Sequence, residues 1–139
     1  MKQKRIILTL FCIGFIFLQS LIPESKSANE SLWFTEHILN PILNWFGVAA
    51  DKDVVRKIAH AVEFCILTFV VALWWKKPIR AFYAGFTLAF LDESLQVVTG
   101  RGALITDIWI DLIGVGIGVL IEKAVQENNS MKSSKTAIK

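Results

Sequence analysis

Residues 58–75 read IAHAVEFCILTFVVALWW, and this stretch decides the class of fold. A helix crossing the hydrocarbon core of a bilayer needs about 20 predominantly apolar residues, with a working range of about 17–25. Residues 58–75 meet that requirement, with His60 and Glu63 as their ionisable groups. Working outward, three further stretches qualify: 6–22, 79–98 and 104–121. The first is free of charge and ends at Pro23; the third span carries Asp92, Glu93 and Gln96, and the last carries Asp107 and Asp111. A carboxylate at the centre of a spanning helix costs roughly 2.5–3.5 kcal/mol on insertion scales, so each of these acids needs a reason to be there.

Composition agrees. Of the 139 residues 54% are apolar and 19% charged, and the mean hydropathy is +0.52. A soluble domain carries about 25% charged residues, so this chain has too few to cover a water-facing surface. The length allows one domain. The net charge of +3 is clustered at the ends of the apolar stretches, which argues against a nucleic-acid partner and for the lipid bilayer. Cys12 and Cys65 each sit in an apolar run, with no metal-ligand spacing around them, and read as small buried hydrophobes.

Lys2, Lys4, Arg5, Lys76, Lys77, Arg80, Lys123, Lys132, Lys135 and Lys139 are ten of the fifteen basic residues. They lie at the amino end, in the loop between the second and third spans, and in the tail. The positive-inside rule puts all three regions in the cytoplasm. Both termini are then cytoplasmic, residues 23–57 and the turn at 99–103 face outward, and Trp74-Trp75 before Lys76-Lys77 forms an inner-interface anchor. A basic start, an apolar run and small residues at 25–28 also fit a cleavable signal peptide, although the run is long for one.

Helical projection of residues 31–47 gathers Glu36, His37, Asn40 and Asn44 on one arc, with Phe34, Ile38, Leu39, Ile42, Leu43, Trp45 and Phe46 over most of the rest. Such a segment lies in the outer interface or packs as a lid on the bundle, and Pro41 kinks or splits it. Residues 122–139 are polar and lack periodicity, which predicts a frayed helix end followed by disorder. The expected fold is an all-α integral membrane protein: a four-transmembrane-helix bundle over residues 1–121, with an outer interfacial helix between helices 1 and 2 and a polar cytoplasmic tail.

With this topology the acids share one depth. His60 and Glu63 open the second span, Asp92, Glu93 and Gln96 close the third, and Asp107 and Asp111 open the fourth, with Arg101 in the outer turn. Faces agree as well, because residues three or four apart share a face. Lys57, His60, Glu63 or Phe64, and Leu67 align on the second span; Gly85, Ala89, Asp92 or Glu93, and Gln96 on the third; Asp107, Asp111, Gly114 and Gly118 on the fourth. Small residues let helices approach closely, so the pattern describes a bundle packed tightly in its inner half and opening outward into an acidic, Arg-capped pocket. Each pair also has a plain structural reading, as a helix-end ion pair or a helix-start acid. Ionisable groups on converging intramembrane faces default to a site.

These motifs resemble those of the VanZ-like membrane proteins. Lys57, His60, Glu63 and Phe64 are similar to that family's Lys-x-x-His-x-x-Glu-aromatic entry to the second helix. Glu93 with Gln96, then Thr99-Gly100-Arg101-Gly102, are similar to its Glu-x-x-Gln and Pro-Gly-Arg elements; Thr99 stands where proline is common. Asp107, Asp111 and Gly114 match the Asp-x-x-x-(Asn/Asp)-x-x-Gly of the last helix. The resemblance implies a multi-pass protein of the bacterial plasma membrane, from a group named for resistance to teicoplanin-type lipoglycopeptide antibiotics. It also implies that His60, Glu63, Glu93, Gln96, Arg101, Asp107 and Asp111 are the family positions. Asp92 is added from its own place in the helix.

Three functions compete. In the first, an enzyme-like pocket acts on a cell-wall precursor or polyprenyl lipid. Arg101 clamps an oxyanion, His60, Glu93 and Asp111 handle protons, and Gln96, Glu63, Asp107 and Asp92 bind. In the second, a non-enzymatic membrane protein binds precursor, antibiotic or a cell-wall enzyme through residues 33–46. The third is an ion-coupled carrier, which four short helices fit poorly and a homodimer fits better. His60, Glu63, Glu93, Asp107 and Asp111 offer ligands suited to Mn²⁺, Mg²⁺ or Zn²⁺, while Arg101 and Lys57 can neutralise the same acids. That neutralisation weighs against a divalent metal, which stays the lesser alternative.

Overall fold

The computed structural model describes residues 2–22, 24–47, 49–100 and 105–137, and the regular elements among them are helical. In chain order they are α1 (Lys2–Ser20), α2 (Glu24–Phe34), a π turn (Thr35–Leu39), α3 (Asn40–Leu43), a 3-10 turn (Asn44–Phe46), α4 (Lys52–Trp75), α5 (Pro78–Val98) and α6 (Ile105–Ala137). α4 is the hub, touching α1, α2, α5 and α6.

By length and composition α1 and α4 are each apolar enough to cross a membrane. α5 and α6 also have the length, but carry Asp92 with Glu93 and Asp107 with Asp111 inside it. The polarity of the bundle is inverted relative to a soluble protein. Phe11 is 68% exposed and Trp109 65%, whereas Asp92 is fully buried and Asp111 is 2% exposed. Water would reject that arrangement, and lipid favours it, since acyl chains solvate the apolar exterior while helix–helix interfaces shelter the polar groups.

Local chemistry sets the helix ends. The Asp51 carboxylate accepts from the N–H groups of Asp53 (2.7 Å) and Val54 (3.4 Å), capping α4. α4 stops at Lys76, which turns into the left-handed region with φ 50°. Pro78 then opens α5, where its missing N–H has no partner to lose. Thr99 caps the far end of α5 and Gly100 follows with φ 72°.

Small residues set the packing. A Cβ on Gly114 would collide with the Ala61 carbonyl group of α4, and one on Gly118 with that of Cys65. α6 therefore lies backbone to backbone on α4. Gly85 fits between Thr68 and Val115, where α5 meets both partners. α1 is seated differently, by side chains: Ile16 packs with Phe64 and Leu67. A narrow crevice that admits no water remains there, lined by Ile13, Ile16, Phe17, Phe64, Leu67 and Leu88.

Three expectations need correction. Helix α4 begins at Lys52 rather than at 58, because the charged residues before the apolar stretch still form helix once Asp51 caps them. The tail is helical through Ala137 rather than frayed and disordered beyond 121. Its Glu, Lys, Gln, Ala and Met residues are good helix formers, and the Gln126 amide donates to Glu122 one turn back. In the outer segment the helix starts at Glu24, well before residue 31, and the distortion precedes Pro41. A proline ring clashes with the carbonyl four residues back; widening that turn relieves it, and the Asn40 N–H accordingly bonds the Thr35 carbonyl. The π turn adds a residue to the repeat within the expected polar arc. His37 is exposed and stacks on Trp33, ring centroids 5.2 Å apart.

Candidate functional site

At the end of the bundle where α1 and α5 finish and α4 and α6 start, polar side chains from all four helices meet. Asp92 is the best satisfied. Ser20 Oγ donates to its Oδ1 at 2.5 Å and Gln96 Nε2 to its Oδ2 at 2.9 Å. Thr99 adds a second tie between the same two helix ends, its Oγ1 lying 3.3 Å from the Ser20 carbonyl oxygen. Asp92 thus joins α1 to α5.

On α4, His60 Nδ1 lies 3.7 Å from Glu63 Oε2, an i,i+3 pair, and Gln19 of α1 hydrogen-bonds Glu63. Lys57 Nζ lies 3.3 Å from Asp107 Oδ1, tying α4 to α6. Glu93 and Asp111 are both buried, Asp111 in the neighbourhood of Asp92, Glu93, Asp107 and Glu63. Seven of the residues singled out by sequence therefore gather at one end: His60, Glu63, Asp92, Glu93, Gln96, Asp107 and Asp111. The eighth, Arg101, lies outside the described residues. Spacing explains the convergence. The buried positions of α5 (Ala81, Gly85, Ala89, Asp92, Glu93) follow one helical face, and so do Asp111, Gly114 and Gly118 on α6.

Sequence reasoning missed Gln19 and Ser20, which lie at the close of a run read only as a clean span. The available signal was their position three and four residues after Ile16, on the face that also buries Thr9.

A cleft of about 600 Å³ opens beside the cluster, between α1, α2 and α4. Phe15, Trp33 and Phe34 form its apolar wall, and Gln19, Arg56 and His60 its polar side. Gln19 and His60 belong to both the cleft and the cluster. Among the described residues no group of three or more His, Cys, Asp and Glu side chains is arranged to hold a metal ion. Of the five side chains weighed as metal ligands, Asp107 is met by Lys57 and Glu63 by Gln19.

An all-helical bundle with apolar residues outside and carboxylates inside is an integral membrane protein. A family model described as VanZ/LLP1 matches residues 5–126, and the chain belongs to that family. It is similar to the uncharacterized membrane protein YwnJ of Bacillus subtilis (strain 168), with 33% identity over 79 residues. That match covers 55% of this chain and 54% of YwnJ, so the chain spans about half the length of its curated relative. No solved structure matches.

Proposed function

We propose that the cleft and the acid cluster form one pocket that receives a lipid-linked cell-wall intermediate at the outer leaflet, and that occupying it lowers susceptibility to teicoplanin-type lipoglycopeptides. The observation that carries this reading is the sharing of Gln19 and His60 between an aromatic-walled cleft and a group of buried carboxylates. An amphiphile fits such a site: its chain lies along Phe15, Trp33 and Phe34, and its polar head reaches the cluster. In this reading α5 and α6 cross the membrane with α1 and α4, their acids sheltered by the helix contacts, and both termini are cytoplasmic. Arg101 clamps the oxyanion with its planar fork. His60, Glu93 and Asp111 are the groups that exchange protons, while Glu63, Gln96, Asp107 and Asp92 bind and position.

A second reading is favoured by one feature. Trp45 is 89% exposed, and Trp33, Phe34, Ile38 and Ile42 are exposed beside it. That surface suits a non-enzymatic contact with precursor, antibiotic or a cell-wall enzyme. Lipoglycopeptide survival and mass spectrometry of cell-wall precursors, at matched membrane expression, separate the two. Loss on His60→Ala or Asp111→Ala, with Trp45→Ala silent, supports the pocket; the opposite pattern refutes it in favour of the surface.

A further inference from the structure

At the opposite end of the bundle α1, α4 and α6 enclose a cleft of about 360 Å³, lined by Arg5, Leu73, Lys76, Glu122, Gln126 and Asn129 among others. Glu122 is 1% exposed. One of its oxygens accepts from the Gln126 amide, and the other, Oε2, is buried with no hydrogen-bond partner among the described residues. A buried carboxylate oxygen lacking a donor is costly, and a donor or cation entering the cleft removes that cost.

Two cations face the same space. Arg5 spends one of its five N–H donors on the Leu73 carbonyl, 2.7 Å away, which anchors the guanidinium at the cleft. Lys76 holds φ 50° at the end of α4, a conformation that glycine adopts without strain and a side chain does not. Glycine would close the helix more cheaply; lysine keeps a positive charge on the rim. The cleft therefore offers two cations for an anionic group and one buried anion for a group with donors.

Its level in the bundle identifies the ligand's source. α4 leaves its apolar stretch at Trp74 and Trp75, and the chain turns at Lys76 and Lys77, the residue types that mark the head-group layer. We propose that this cleft seats the head group of an aminophospholipid, its phosphodiester between Arg5 and Lys76 and its primary ammonium on Glu122. A choline head group carries the same phosphate but no N–H donor. A glycerol head group brings hydroxyls but no charge to meet the buried carboxylate. The site is separate from the acid cluster and does not depend on the function proposed for it.

The test is native mass spectrometry of the full-length protein in detergent, with phosphatidylethanolamine, phosphatidylglycerol and phosphatidylcholine each added at equal concentration. Ethanolamine lipid is expected to bind about tenfold more tightly than choline lipid, because both nitrogens carry the charge but only the primary ammonium donates a charge-assisted hydrogen bond to Glu122. Glu122→Gln, nearly identical in shape, should bring that ratio close to one. Lys76→Gly relieves backbone strain, so its folding is not at risk, and it should weaken all three lipids while preserving the ratio. Equal binding of ethanolamine and choline lipids, strongest binding of the glycerol lipid, or an unchanged ratio in Glu122→Gln overturns the proposal. So does a Lys76→Gly protein that binds all three as the parent does. Glycerophosphoethanolamine has the same head group without acyl chains; displacement of the lipid by it at comparable concentration overturns the lipid as the source.

Discussion

Replacing Gly114 by alanine tests the central contact of the bundle. A Cβ at this position would lie 2.8 Å from the carbonyl carbon of Ala61 and 3.0 Å from its Cα, and nearer still to its oxygen. Carbon atoms pack at about 3.5–4.0 Å, so α4 and α6 must part by close to 1 Å. Gly118 rests on Cys65 one turn further along, and rigid helices would loosen both contacts together. Overpacking costs about 1–3 kcal/mol, and a backbone carbonyl cannot rotate away as a side chain can, which places the cost near the top of that range. Alanine recovers about 1 kcal/mol through its better helix propensity. The net expectation is a loss of roughly 2 kcal/mol. Gly116 supplies the control: nothing lies within 4 Å of a Cβ there, so Gly116→Ala gains about 1 kcal/mol from propensity alone. Equilibrium unfolding in mixed micelles of dodecyl maltoside and dodecyl sulfate, followed by the fluorescence of the five tryptophans, measures both. Equal stability of the two variants, or the reverse order, would show that α4 and α6 are not in backbone contact.

Asp92→Ala removes the acceptor of the Gln96 amide and leaves the Ser20 hydroxyl only its longer bond to the Ile16 carbonyl, 3.3 Å away, and should cost about 1–2 kcal/mol in the same assay, whereas Asp92→Asn keeps an acceptor and should stay within about 1 kcal/mol of the parent. Asp51→Ala removes the cap of α4 and should cost about 1 kcal/mol, read as faster amide exchange at Asp53 and Val54 than in the parent. Arg101→Lys should impair lipoglycopeptide survival almost as much as Arg101→Ala, because lysine keeps the charge but not the bidentate fork; a fully active lysine variant leaves a counterion and eliminates the clamp.

The long helices were legible because hydropathy and helical spacing both report on them. The third apolar stretch, 79–98, nearly coincides with α5, and the spacing of Gly85, Ala89, Asp92 and Glu93 marks its buried face. Hydropathy reads the thickness of the membrane rather than the length of a helix, which is why the starts of α4 and the end of α6 were misplaced: both run on in charged, helix-forming sequence. The acids were legible as out of place in apolar surroundings. Ser20 and Gln19 were not, since a hydroxyl and an amide near a helix end are unremarkable until a partner such as Asp92 is known. The π turn was invisible for a different reason: Pro41 announces that something must yield without saying on which side of it.

The two ways in which helices are joined here divide the bundle mechanically. Where α6 lies on α4 through Gly114 and Gly118, no side chain stands between the backbones to bend, and the pair behaves as a strut. α1 is cushioned on Ile16, Phe64 and Leu67 beside a narrow crevice, and side chains of that kind can change rotamer. Compliance therefore sits on the α1 side, which is also the wall of the larger cleft. Ser20 on Asp92 and Arg5 on the Leu73 carbonyl pin the two ends of α1, so the part that can give is its middle, around Ile16, while the strut holds Asp107 and Asp111 in register with α4.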